Sequence, residues 1–131
     1  MRLLLDTHIW LWSALAPDRL SKRVTGLLND PRHELWLSSI SVWETLVLAR
    51  KGRLELEPSP DRWVRRALSE LPVHEAPINH EIALRSESVR LGHTDPADRF
   101  LVATALVHDL TLVTADRRLL KSRAFASLAN R

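Results

Sequence analysis

The chain contains no cysteine, which excludes disulfides, thiolate metal sites and cysteine nucleophiles. Lysine is almost as scarce. Only Lys22, Lys51 and Lys121 occur, so 19 − 3 = 16 of the basic residues are arginines. Arginine forks grip phosphate bidentately, although a GC-rich genome also raises arginine content. No apolar run is long enough to span a bilayer, and the N-terminus has no signal-peptide pattern. An internal repeat, a low-complexity segment, an interdomain linker and a two-residue hairpin signal are missing too.

What is present is a chain of 131 residues, 45% hydrophobic, with Lys+Arg 19 against Asp+Glu 16. That length suits one domain, and the apolar share can bury a core, which excludes a disordered tail. The net charge of +3 is mild rather than histone-like. The expectation is one compact, soluble, cytoplasmic domain over residues 1–131.

Short apolar runs alternate with longer helical patterns. Strands are predicted at Arg2 to Leu5, Glu34 to Ser38, Leu71 to Ala76 and, last, Leu110 to Thr114. Helices are predicted at Thr7 to Leu15, Ser21 to Asp30, and Ser41 to Arg50 with Gly52 as its C′ residue. A further helix starts from Ser59-Pro60 as N-cap and N1 and runs through Trp63, Ala67 and Leu71. Others run from an Asn79 cap to Leu91, from Asp95-Pro96 through Ala97 to His108, and from Ala115 to Lys121. The alternation predicts a three-layer α/β/α fold on a parallel sheet of four to five strands.

Asp6, Glu44, Asp98 and Asp116 each fall after a strand or at the start of a buried helix. In open parallel sheets, ligands sit outside the carboxyl ends of the strands. These acids therefore converge on one edge. Clustered carboxylates repel unless a cation neutralises them, and an all-oxygen set suits Mg²⁺ or Mn²⁺. Each acid also has a capping reading. Asp6 and Asp116 can cap the helices that follow them. Ser41-x-x-Glu44 matches a capping box, and Asp95-x-x-Asp98 has N-cap and N3 spacing. Singly the caps suffice. Jointly a metal cluster explains more.

Among the other residues, His8 and His93 lie near acids, where a surface or structural role is the simpler reading. The five tryptophans read as core or interface residues, with base stacking as the alternative for one of them. Arg99, Arg117 and Arg118 adjoin the acids and can hold phosphates.

Four stretches then resemble PIN-domain proteins, specifically VapC-type toxins of toxin–antitoxin pairs. They are Leu4-Leu5-Asp6-Thr7-His8, Ser38-Ser39-Ile40-Ser41-Val42-Trp43-Glu44, Asp95 through Ala105, and Leu112-Val113-Thr114-Ala115-Asp116. The resemblance spans almost the whole chain in family order. It implies a PIN fold with the first strand central, and a Mg²⁺- or Mn²⁺-dependent endoribonuclease (a hydrolase of RNA phosphodiesters). It further implies that Asp6, Glu44, Asp98 and Asp116 are the catalytic, metal-holding acids. Asp95 matches an acid of the subgroup with the Asp-Pro-x-Asp-Arg pattern. Thr7 and Thr114 match hydroxyl positions that support the site, with Arg99 beside it. A homodimer, a cognate antitoxin and an RNA substrate are the implied partners, with no membrane.

Three rival readings fit the sequence less well. A haloacid-dehalogenase-like phosphatase needs an acid at position 8, which is His8. A PIN nuclease of RNA maturation often carries extra RNA-binding modules. A non-catalytic RNA- or protein-binding PIN module has no need of four acids.

Overall fold

A computed structural model describes residues 1–92 and 95–131. Five strands, β1 (Arg2–Leu5), β2 (Glu34–Ser38), β3 (His74–Ala76), β4 (Thr111–Thr114) and β5 (Ser127–Ala129), form one sheet. Its order is β3-β2-β1-β4-β5, every pair is parallel, and β1 lies at the centre as expected. The helices are α1 (Thr7–Leu15), α2 (Lys22–Asn29), α3 (Ser39–Arg50), α4 (Pro60–Glu70), α5 (His80–Ser88), α6 (Pro96–His108) and α7 (Arg117–Leu120). A 3₁₀ turn at Pro17–Arg19 follows α1.

The period-2 alternation of the strands divides the core into two halves. Leu3, Leu5, Leu35, Leu37 and Val113 face one side, where they pack with Ile9, Trp10, Val24, Val64 and Ala67 of α1, α2 and α4. Leu4 and Leu112 face the other, against Ile82 of α5 and Leu101, Val102 and Ala105 of α6. Because α6 is covered by α5 and the sheet, most of its residues are buried. The predicted three-layer arrangement is the observed one.

Several boundaries differ from the sequence reading. β3 is shorter than predicted because Leu71 closes α4 by donating to Ala67 O at 3.2 Å, and Pro72 has no N–H for a ladder. Helix α5 stops at Ser88, not Leu91. β5 lies beyond the last strand predicted and pairs Leu128 with Val113. Gly52, with φ +75°, is the left-handed residue that ends α3. Among the described residues no helix is long and apolar enough to cross a membrane.

Candidate active site

Asp6 stands where β1 becomes α1. Its extended backbone suits an N-cap, and Oδ1 accepts from the Thr7 N–H at 2.8 Å. Oδ2 accepts from the hydroxyl of Thr114, the last residue of β4, at 2.6 Å. The same Thr114 Oγ1 accepts from the Asp116 N–H at 3.0 Å. One buried hydroxyl thus ties together the acids that follow β1 and β4. Asp116 in turn caps α7, its Oδ1 accepting from the Arg118 N–H at 2.8 Å.

Glu44 is placed differently from the capping-box reading. Ser38 caps α3, its Oγ accepting from the Ile40 N–H at 3.1 Å, so the helix starts before Ser41. Ser41 is fully buried within the helix, 2.8 Å from Thr7 Oγ1. Glu44, one turn along the same face, accepts from Thr7 Oγ1 through Oε1 at 2.7 Å. Its side chain is held by α1, not by the N-terminus of its own helix. Asp95 does cap α6, accepting from the Ala97 N–H at 3.0 Å. Asp98, in the first turn of α6, is 8% exposed.

All five acids line one cavity of about 440 Å³ at the carboxyl edge of the sheet, with His8, Trp12, Arg19 and Arg118 among the other walls. Capping and convergence are compatible: each cap uses one carboxylate oxygen and leaves the side chain at the cavity wall. Arg99, expected beside the acids, is half-buried on α6 and is not a wall residue. Arg19 and Trp12 were not expected there. Arg19 lies in a separate turn and carries no local motif, and Trp12 has the spacing of a core residue. Position 93, the second histidine considered, lies outside the described residues.

The electrostatics follow from burial and crowding. Burial pushes the Asp6 carboxyl above its ordinary range, opposed by the hydrogen bonds from Thr114 and Thr7. Burial also raises Glu44. The Thr7 hydrogen bond opposes that rise, and the charges of Asp6, Asp95 and Asp98 add to it. Arg118 offsets part of the negative charge. Its Nη2 lies 3.0 Å from Asp116 Oδ2 and 4.0 Å from Asp98 Oδ2.

The donor set fits a hard divalent ion: it is all carboxylate oxygen, and burial together with the neighbouring negative charges raises Glu44 within it. Among the described residues, no three His, Asp or Glu side chains are yet gathered closely enough to hold an ion together. The acids encircle a space with an arginine at its rim.

The PIN domain family profile matches residues 3–125. The chain is 33% identical over 123 residues to Ribonuclease VapC22 of Mycobacterium tuberculosis, spanning 92% of this chain and 91% of that protein. Its fold resembles the toxin–antitoxin complex from Klebsiella pneumoniae, with TM-score 0.70, 23% identity and 98% of both chains covered. It also resembles the DNA-bound VapBC from Salmonella typhimurium, with TM-score 0.71, 16% identity, and 100% and 99% of the two chains covered. A carboxylate-lined edge on a five-stranded parallel sheet, and likeness over nearly the full length, agree: the chain belongs to the PIN-domain family, in its VapC type.

Proposed function

We propose that this protein is a Mg²⁺- or Mn²⁺-dependent endoribonuclease, a single PIN domain acting as the cytoplasmic toxin of a toxin–antitoxin pair. The observation that carries this reading is the convergence of Asp6, Glu44, Asp95, Asp98 and Asp116 on one cavity. The 33% identical ribonuclease and the toxin–antitoxin complexes that share the fold support the choice of substrate and partner.

Asp6, Glu44, Asp98 and Asp116 are the residues that would hold the ion. When bound, it supplies an activated water and neutralises charge developing on the phosphodiester. Thr7 and Thr114 fix the carboxylates of Glu44 and Asp6 through their hydroxyls, which lowers the reorganisation needed during reaction. Asp95 holds the first turn of α6, and with it Asp98, in place. Arg118, once withdrawn from Asp116, is placed to take a phosphate oxygen of the RNA. A cognate antitoxin would inhibit by covering the same cavity.

The test is incubation of purified protein with structured RNA and Mg²⁺ or Mn²⁺, with and without EDTA. The expected products carry a 5′-phosphate and a 3′-hydroxyl. Undiminished cleavage in EDTA, or 2′,3′-cyclic ends, overturns the mechanism.

A further inference from the structure

The wall of the cavity contributed by α1 is not acidic. His8 and Trp12 are one turn apart on α1, with ring centroids 5.9 Å apart. The guanidinium of Arg19 lies over the Trp12 indole, 4.2 Å from its centroid. All three line the cavity that holds the acids.

Trp12 is not simply a core residue. Trp10, two positions earlier, is 1% exposed and belongs to the core. Trp12 is half-buried, packing against that core while also forming cavity wall. The arginine above it is held by its backbone. The Leu20 N–H donates to Pro17 O at 3.1 Å, closing the 3₁₀ turn, and Asn130 Nδ2 donates to Arg19 O at 3.0 Å. The backbone that carries Arg19 is therefore anchored beside Trp12.

A planar guanidinium on an indole is a platform for another flat π-system. Unpaired bases of RNA stack on aromatic rings and on arginine planes. We propose that Trp12, Arg19 and His8 form a nucleobase subsite, which takes one unpaired base next to the phosphodiester being cut. The subsite rests on the ribonuclease reading above and adds to it the residues that would hold the base. A cavity of about 440 Å³ lies within the usual range for a small-ligand site.

The experiment maps the cleaved bond in a single-stranded oligoribonucleotide, then replaces the nucleotides around it one at a time with abasic residues. Wild type, Arg19→Gln, Trp12→Phe and Trp12→Leu are compared, with melting temperature reporting on the fold. At one position the abasic residue should raise KM about tenfold in wild type, with kcat little changed. The same replacement should cost little in Arg19→Gln and Trp12→Leu, and close to the full effect should return in Trp12→Phe. Should Trp12→Leu fail to fold, the Arg19→Gln comparison decides alone. Equal abasic penalties in wild type and Arg19→Gln overturn the subsite while leaving the nuclease intact. A wild type that cuts no RNA overturns the ribonuclease reading and the subsite with it.

Discussion

Thr7 and Glu44, separated by 37 positions, meet at 2.7 Å, the Thr7 hydroxyl donating to Oε1 of the glutamate. The bond crosses from α1 to α3 and is backed by Ser41 at 2.8 Å. Thr114 performs the equivalent service for Asp6 at 2.6 Å. Two threonines, each buried, thus orient two carboxylates whose burial and crowding raise their energy.

Removing such a donor leaves a carboxylate with fewer partners in a poorly solvated place. Thr114→Val also removes the acceptor of the Asp116 N–H, so it should cost about 1–3 kcal/mol of stability. Thr114→Ser keeps the hydroxyl and should cost less. Thr7→Val should push Glu44 further up and lower RNA cleavage at neutral pH more than it lowers the melting temperature. Denaturant titration beside cleavage rates measures both. Equal stability of Thr114→Val and wild type would show that the hydroxyl orients nothing.

The raised pKa values of Asp6 and Glu44 have a definite sign. A carboxyl raised in the folded state favours folding below its unfolded value, and that contribution is lost as pH rises through the folded value. The metal-free protein, compared with the double variant Asp6→Asn/Glu44→Gln, should therefore lose relative stability as pH rises from about 4 toward neutrality. The lowered carboxyls of Asp30 and Asp61, bonded to Arg32 and Arg65, act in the opposite sense. They are common to both proteins and drop out of the difference. Mn²⁺ binds the ionised forms, so the rise in Tm that it produces should grow over the same window. A Mn²⁺ effect independent of pH would count against carboxylate ligation.

How much of this was legible in the sequence differs by residue. Asp6 and Asp116 read correctly both as caps and as members of one edge, because strand-to-helix junctions are local signals and parallel order fixes their side. Asp95 read correctly as the cap of α6, and its place on the cavity wall comes from the fold. The start of α3 was not legible. Ser38, Ser39 and Ser41 all suit an N-cap, and the choice fell to Ser38, which ends the β2 pairing with β3 opposite Ala76. β5 was also hidden. Ser127–Ala129 is short, and only its pairing with β4 makes it a strand. Arg19 reaches the cavity through a turn held by Asn130, a contact 111 positions apart that no local pattern announces.

Asp95 and Asp98 are separable by charge alone. Asn caps a helix about as well as Asp, so Asp95→Asn keeps the bond to the Ala97 N–H and should leave both fold and most activity intact. Asp98→Asn should keep the fold and lower RNA cleavage by roughly 100-fold or more, as loss of a metal ligand does. Its Mn²⁺ affinity, measured by calorimetry without RNA, should fall in parallel. Full activity in Asp98→Asn alongside a dead Asp95→Asn would reverse the two assignments.

If Asp116 holds the ion as proposed, Arg118 competes with it for that carboxylate. Nη2 and Nε lie 3.0 Å and 3.3 Å from the two carboxylate oxygens, and that hydrogen bonding raises the guanidinium's pKa. Arg118→Met should therefore bind Mn²⁺ more tightly than wild type in calorimetry, while cleaving RNA with a higher KM because a phosphate-binding group is gone. Arg118→Lys should fall between them. Unchanged Mn²⁺ affinity in Arg118→Met would mean that the arginine leaves the acids at no cost.

The outer face of α3 bears on assembly. Five tryptophans in so small a domain are hard to bury completely, and the fold leaves one of them mostly exposed. Trp10 is buried, and Trp12, Trp36 and Trp63 pack half-buried against the core. Trp43 remains 57% exposed, and Leu46, three residues on and on the same face, 38% exposed. An exposed tryptophan beside a leucine is the composition of an interface centre. The wild type should therefore scatter light as a dimer of the 15.0 kDa chain at micromolar concentration. Trp43→Arg should give the single-chain mass with its circular dichroism spectrum unchanged, since that side chain contributes little to the core. A wild type that scatters only as a monomer would remove α3 as an interface. A Trp43→Arg variant that stays dimeric would place the interface on another face.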